Sequence, residues 1–286
     1  MIRRHWGKDK WMLITQAEHA RLAGVVAAAW QFAPVRPHPE VLRAISFHDD
    51  GWAEFDAQPS ITPDGEPCSF LEVPRSQRYA IWSRSSERLS EKGMLYGACV
   101  VAQYFLNRAR RETEDLAKFS PRDAIALGNF LSEQDRRIKK WRAELEERAA
   151  AEAPAEMPSN PNDSTSQFPA SVPEGGSFEE EVRLLEVCDQ MSVLLCTDFR
   201  GSTQIDNVPY LNGVSKITVS SPPNGKVGLI VDPLPFRKNL RDHIRAVIIP
   251  IKKYESDDEL RETIRSCSPV SQEFLLSAST ETASVG

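Results

Sequence analysis

The chain has 286 residues, and its 35 lysines and arginines against 41 aspartates and glutamates give a formal charge of −6. Apolar side chains make up 41% of the residues, which supports a sizeable hydrophobic core and excludes a wholly disordered chain. This acidic balance lacks the electrostatic signature of a nucleic-acid-binding protein. No apolar run approaches the roughly 18 residues of a membrane-spanning helix, and the basic N-terminal stretch lacks the apolar segment of a secretory signal. We therefore expect neither a nucleic acid nor a membrane as a partner.

The five cysteines are scattered along the chain, and no two of them form a CxxC motif. An odd number of dispersed cysteines is typical of reduced thiols in the cytoplasm, because a disulfide framework or a zinc knuckle requires paired or closely spaced residues. We therefore predict a cytoplasmic protein.

Helices are predicted for the first half of the chain. Thr15 is a candidate N-cap with Glu18 three residues later, the spacing of a capping box, and apolar residues follow at helical intervals. After a proline-rich break, a second helix begins at Pro39 and ends before Gly51. Further helical stretches are predicted from residue 76 to about 111, with a break near Gly93, and from 121 to about 147.

A composition change divides the chain near its middle. Residues 148–177 contain five prolines and almost no large apolar side chains, so we predict a disordered linker there. The segment FEEEVRLLEVCDQMSVLLCTDF that follows has the pattern of an amphipathic helix, with acidic residues in its first turn.

Short strands are predicted near the C-terminus. The segments VSKITVSS, KVGLIVDP and DHIRAVIIPIKKY have strand composition, and Asn224-Gly225 is a favourable hairpin turn between the first two. The segment DDELRETIRSC predicts one more helix, and residues 268–286 are expected to be a loose tail. The predicted fold class is mainly α, with a small antiparallel sheet near the C-terminus and an α+β composition overall.

Two of the five histidines lie on predicted helices beside apolar positions. These are His19 and His48, and the latter is followed directly by Asp49 and Asp50. Asp189 lies inside an apolar helix, where an isolated carboxylate is costly unless it is paired or coordinated to a cation. Imidazoles and carboxylates that converge from rigid elements form a metal-ligand set. The same residues are also typical of hydrogen bonding within a core, so both interpretations stay open.

The ordered series His19, His48-Asp49 and Asp189 resembles the HD superfamily of metal-dependent phosphohydrolases. The segments ITQAEHARLAG, AISFHDDGWAEFDAQP, LLEVCDQMSVLLC and DPLPF are closer still to an uncharacterised, largely bacterial family catalogued as a domain of unknown function. The resemblance implies a single HD-like helical-bundle domain over residues 1–286, interrupted by the linker.

The resemblance also implies a metal site. The implied ligands of one divalent cation (Mn, Fe, Ni, Co, Zn or Mg) are His19, His48, Asp49 and Asp189. Asp50 is a candidate for handling protons or orienting a ligand, and Gln16, one turn before His19, is a candidate polar neighbour of the ligands. No histidine occurs between His48 and His243, where many HD enzymes have further ligands, which favours a single metal; Gln103 is a candidate stand-in there.

The expected activity is metal-dependent hydrolysis of a phosphate ester or a nucleotide, and the expected partner is a small phosphorylated molecule. Candidate cations for the phosphate are Arg75, Arg78, Arg84 and Arg88. A non-catalytic metal- or ligand-binding module, serving as a sensor or scaffold, is the alternative, and a purely structural role for the histidines is a third. The chain has no GxxxxGK[ST], GxGxxG, GxSxG or HExxH motif, so P-loop, dinucleotide, serine-hydrolase and zincin chemistry have no support.

Overall fold

The computed structural model describes residues 1–31, 37–114, 119–152, 177–209, 216–223 and 226–279. The helices are α1 (Gln16–Ala29), α2 (Pro39–Ser46), α3 (Ala53–Ala57), α4 (Arg75–Glu91), α5 (Leu95–Glu112), α6 (Pro121–Glu152), α7 (Phe178–Cys196) and α8 (Asp257–Ser266). The strands are β1 (Ile2–Trp6), β2 (Lys10–Ile14), β3 (Ser202–Asp206), β4 (Lys216–Ser220), β5 (Gly228–Asp232), β6 (Leu240–Pro250) and β7 (Pro269–Ser277). A short 3-10 turn, Asp50–Trp52, lies between α2 and α3.

The strands form one mixed sheet of seven strands in the order β1-β2-β6-β7-β5-β4-β3. Strands β5 and β7 run parallel, and the other neighbouring pairs run antiparallel. Strand β2 is covered on both faces: Met12 belongs to the main core, whereas Trp11 and Leu13 pack with Leu260 of α8 in a second apolar cluster. Strand β2 therefore lies between two apolar clusters, one on each face of the sheet.

The predicted HD-like helical bundle with a small antiparallel sheet is therefore wrong, and the fold is α+β with a large mixed sheet. The N-terminal hairpin of β1 and β2 was not predicted, because the apolar run WMLI lacks the alternation of a half-buried strand. Strand β7 occupies residues 269–277, within the expected loose tail, and places Phe274 and Leu276 in the core. Residues 280–286 of that tail lie outside the described residues.

Two other predictions fall partly or wholly on residues outside the description. Helix α6 continues to Glu152, and Ser177 is the N-cap of α7 in a complete capping box with Glu180, so both ends of the predicted linker are helical or helix-capping. Residues 153–176 of the linker and the predicted turn at Asn224-Gly225 lie outside the described part of the chain.

The helices form a layer in which α1 contacts α2 and α7, and α5 contacts α2, α4, α6 and α7. Helix α1 begins as predicted, because the Thr15 side chain accepts a hydrogen bond from the Glu18 backbone N–H at 3.1 Å. The Glu18 carboxylate does not complete a capping box; it accepts from Arg21 and from the Arg245 backbone N–H of β6 instead. This contact joins the helical layer to the sheet.

Glycine is required in the turn that follows the His48-Asp49 pair. A Cβ atom added at Gly51 would lie 2.1 Å from the Ile81 carbonyl oxygen and 2.8 Å from the Ser85 backbone nitrogen of α4. The Gly51 N–H also donates to Ser85 Oγ at 3.1 Å. The missing side chain therefore lets α4 hold this turn, and with it the His-Asp pair, in place.

Gly51→Ala is expected to lower the free energy of unfolding by about 1–3 kcal/mol, because the added methyl group must displace backbone atoms of α4. Gly128→Ala is the matched control, since nothing lies within 4 Å of a Cβ at this exposed position of α6. The control should gain about 0.5–1 kcal/mol from helix propensity. Urea denaturation of the three proteins measures both effects, and equal stability of the two variants would contradict the packing account.

Candidate metal centre

Three parts of the helical layer bring the four predicted ligands together. His19 lies on α1, His48 and Asp49 lie in the turn after α2, and Asp189 lies within α7. One ligand atom from each residue lies within 4.8 Å of the other three, and all four residues are buried. Asp189, which follows the predicted linker in sequence, thus joins ligands from the first fifty residues.

The distances between ligand atoms fit a single cation. Asp189 Oδ1 lies 2.7 Å from His19 Nε2 and 2.9 Å from His48 Nε2. Asp49 Oδ2 lies 3.7 Å from His19 Nε2 and 3.6 Å from His48 Nε2. Ligands bound at about 2.0–2.2 Å in a tetrahedral site lie roughly 3.4 Å apart, so shifts of less than about 1 Å would accommodate an ion.

Hydrogen bonds on the far side of each ring fix which imidazole nitrogen carries a hydrogen. His48 Nδ1 lies 2.8 Å from the Ile45 carbonyl oxygen, which only accepts, so Nδ1 donates. Ser192 Oγ lies 2.8 Å from both the Asp189 carbonyl oxygen and His19 Nδ1; with its one hydrogen given to the carbonyl, which only accepts, it accepts from His19 Nδ1. Both Nε2 lone pairs consequently face Asp189 Oδ1, itself an acceptor, and this arrangement requires a cation or an added proton between them.

The pKa shifts within the cluster also indicate that a positive charge is held between the ligand atoms. Burial lowers the pKa of His48, but the charge of Asp49 and the hydrogen bond with Asp189 outweigh it and raise the pKa to about 9. Burial raises the pKa of Asp189, but its hydrogen bonds with His19 and His48 outweigh that effect and hold the pKa well below its ordinary value. Burial raises the pKa of Asp49, and the two histidines offset this only in part. Without a metal, the cluster therefore retains a proton, and Arg108 Nη1, 3.5 Å from Asp189 Oδ2, adds a second positive charge beside it.

Helix α5 contributes two residues that were not predicted from the sequence. Tyr104 Oη donates to Asp189 Oδ2 at 2.6 Å, and Arg108 Nη1 donates to Tyr104 Oη at 2.9 Å. The spacing of four residues places Tyr104 and Arg108 on one face of the helix, and a polar pair at this interval on an otherwise apolar face is the signal that could have identified them. The predicted Gln103 instead bonds Asn107, its neighbour on the same helix.

A cavity of about 40 Å³ lies over the cluster. Its walls include the buried side chains of Trp52, Trp82 and Phe105. Two lining residues mark its open side: Leu71, which is 68% exposed, and the half-buried Arg108, whose side chain is 40% exposed. Because one water needs about 10–15 Å³ on this scale, the cavity accommodates about three water-sized groups.

Gln16 and Arg78 line this cavity, whereas Asp50 is not among the lining residues. The Asp50 carboxylate pairs with Lys92 at the end of α4. All four candidate phosphate cations have carboxylate partners: Glu112 for Arg75 and Arg78, Glu87 and Glu91 for Arg84, and Glu54 for Arg88. Of the predicted polar and cationic neighbours, the structure thus brings Gln16 and Arg78 to the site.

Residues 1–250 match the family described as "Protein of unknown function (DUF3891)". The chain belongs to this family. The predicted similarity to a family of unknown function is confirmed, and membership of the HD superfamily does not follow from this match. Neither a search of curated proteins nor a search of solved structures found a match. Within the described part of this DUF3891 member, no helix has the length and apolar character needed to cross a membrane.

Proposed function

We propose that this DUF3891 member is a metal-dependent hydrolase of a phosphate ester or nucleotide, with one divalent cation at the four-residue cluster. The proposal is based on the convergence of two imidazole lone pairs and two carboxylates at one buried point. Two neutral imidazoles and two carboxylates sum to a charge of −2, which a divalent cation neutralises. The same residue types in the same order are the ligands that the resemblance to the HD superfamily implies, which supports the proposal independently of the fold.

The cluster suits a transition metal. Mixed imidazole and carboxylate ligands favour Mn, Fe, Ni, Co or Zn over Ca. The Ile45 carbonyl and Ser192 hydroxyl orient the two rings, as outer-sphere partners of metal-bound histidines do. A bound divalent cation would supply Lewis acidity toward a phosphoryl oxygen and a bound water of lowered pKa.

Two arginines and several buried aromatic rings line the cavity and can contact a bound phosphoryl group. Arg108 lines the open cavity, and its Nη1 donates to Tyr104 Oη and lies 3.5 Å from Asp189 Oδ2. Its Nε and Nη2 make no hydrogen bond within the described residues, so their N–H groups are available to phosphoryl oxygens. Arg78 lines the same cavity, where its Nη2 pairs with Glu112 at 3.1 Å. Both guanidinium groups lie over the Trp82 ring, at 5.4 and 5.5 Å from its centre. The buried aromatic walls exclude water, which strengthens electrostatic contacts with a bound phosphoryl group.

A substrate screen tests the proposal. Protein supplied with Mn²⁺, Ni²⁺, Co²⁺ or Zn²⁺ is assayed against phosphomonoesters, phosphodiesters and nucleotides. We expect phosphate-ester hydrolysis that a chelator abolishes and added metal restores. His48→Ala should lose this activity, and His243→Ala, at an exposed position of β6, should retain it. Bound metal without activity on any of these substrates would contradict hydrolysis and favour the binding-module alternative.

Metal affinity is expected to rise with pH. The metal-free protein holds His48 protonated below its pKa of about 9, and a metal ligand must be neutral, so binding releases that proton. Apparent affinity should therefore increase about tenfold per pH unit between roughly pH 6 and 8, with about one proton released per ion. Titration calorimetry in two buffers of different ionisation enthalpy measures the released protons. An affinity independent of pH would contradict the electrostatic account.

A further inference from the structure

Building on the proposed function, we infer that the cavity selects a terminal phosphoryl group, so that phosphomonoesters bind and diesters do not. We assign the discrimination to the side-chain carbonyl of Gln16. Two separate observations support this: the size and shape of the cavity, and a buried acceptor that lacks a donor.

The cavity accommodates only a small group at its base. Its volume of about 40 Å³ corresponds to about three water-sized groups, comparable with the three non-bridging oxygens of a terminal phosphoryl group. Trp52, Trp82 and Phe105 are at most 3% exposed and close the walls, while Leu71 and Arg108 border the open side. Because a volume of this size holds little more than the phosphoryl oxygens, we expect one substituent on phosphorus to extend through that opening and a second to clash with the walls.

The buried acceptor is Oε1 of Gln16. This residue is 3% exposed, and its Oε1 has no hydrogen-bond donor among the described residues. Its backbone N–H donates to Asp56 Oδ2 at 2.6 Å, which fixes the first turn of α1, and its side chain lines the cavity. A buried carbonyl left without a donor costs about 1–3 kcal/mol, so a cavity occupant that carries an O–H group would recover that energy.

A phosphomonoester has such a group and a diester does not. The second ionisation of a phosphomonoester has a pKa near 6, so its monoanion carries both a P–OH donor and charged oxygens near that pH. The P–OH would donate to Gln16 Oε1, and the charged oxygens would accept from Arg108. A diester at the same pH has only acceptor oxygens, so it would leave the Gln16 carbonyl unsatisfied.

The test measures binding rather than turnover. Phenylphosphonate has no P–O–C bond to hydrolyse, and the leaving group of its monomethyl ester is methanol, which is poor. Phenylphosphonate keeps two ionisable oxygens, and its monomethyl ester keeps one. Calorimetric titration of the Mn²⁺-loaded protein at pH 6.5 should show phenylphosphonate binding at least about tenfold more tightly than the methyl ester. This comparison uses the wild-type chain and does not depend on the folding of a variant.

Two variants attribute the preference to Gln16. Gln16→Met keeps the length of the side chain and removes the acceptor, so it should weaken phenylphosphonate binding by about 5- to 50-fold and leave the methyl ester unchanged. Gln103→Met is the matched control, because Gln103 bonds Asn107 and is not among the cavity residues. Metal content should be equal in all three proteins.

The possible failures are distinguishable. Equal affinity of the two probes in the wild type would overturn the inference and leave the metal-dependent function standing. Equal weakening of both probes by Gln16→Met would also overturn it, because Gln16 Oε1 would then not distinguish a P–OH group from an ester. If metal binds and neither probe does, the proposed phosphohydrolase function itself fails, and the inference fails with it.

Discussion

Asp189→Asn is expected to lower metal affinity by more than about a hundredfold, beyond the range seen when only an outer-sphere partner of a metal site is changed. Asp189 Oδ1 is the atom that both histidines approach, at 2.7 and 2.9 Å. The amide keeps the volume of the carboxylate and removes its charge. Two imidazoles and one carboxylate then remain, and the site no longer neutralises a divalent ion.

Asp50→Asn is the matched control for this variant. Asp50 belongs to the same His-Asp-Asp sequence, but its carboxylate pairs with Lys92 and does not line the cavity. Metal content after dialysis and Mn²⁺ affinity by calorimetry are measured for both variants and the wild type. We expect loss only in Asp189→Asn; equal metal content in all three would exclude Asp189 as a ligand.

Arg108→Gln is expected to lower kcat/KM for the best phosphate ester by about 10²–10³-fold while metal content stays unchanged. The arginine borders the cavity and offers N–H groups where negative charge develops on the phosphoryl oxygens, and a preorganised donor of this kind contributes about that factor. Glutamine removes the charge, and the hydrogen bond from Tyr104 Oη to Asp189 Oδ2 should survive because it does not use the arginine.

Arg110→Gln is the control on the same helix. Arg110 is exposed and pairs with Asp135 of α6, so its loss should change kcat/KM by less than about twofold, as is usual for a surface ion pair. Steady-state kinetics with the metal content of each preparation measured in parallel separates the two effects. A loss of metal from Arg108→Gln would show that the arginine supports the ligands instead of the substrate.

Much of the site was predictable from the sequence because its ligands lie on locally determined helices. The start of α1 at Thr15 and the acidic first turn of α7 are signals carried by neighbouring residues. The two histidines and two aspartates, in their order along the chain, then predicted a shared metal site, and this prediction did not require the sheet to be predicted. The wrong fold class did not affect the predicted site, because its residues all lie in the helical layer: His19, His48, Asp49 and Asp189.

The sheet and the α5 residues were missed for a different reason. Strand β2 is buried on both faces, so its apolar run has no period. Strand β7 has the polar Gln272 on the side of Phe274 and Leu276 and the apolar Leu275 on the other side, so its alternation is broken. Both strands are defined by pairing with β6, a contact between residues more than twenty positions apart in sequence. Tyr104 joins the site because α5 packs against α7; the polar pair Tyr104 and Arg108 marks one face of α5, but the sequence does not show which helix that face contacts.

The most direct test of the central claim is anomalous diffraction from crystals of the wild-type protein grown with Mn²⁺. We expect one strong anomalous peak about 2.0–2.2 Å from His19 Nε2, His48 Nε2 and a carboxylate oxygen of each aspartate. Tyr104 should still contact the other oxygen of Asp189. A fully ordered His-Asp cluster with no peak at saturating Mn²⁺, or a peak bound by other residues, would contradict the account.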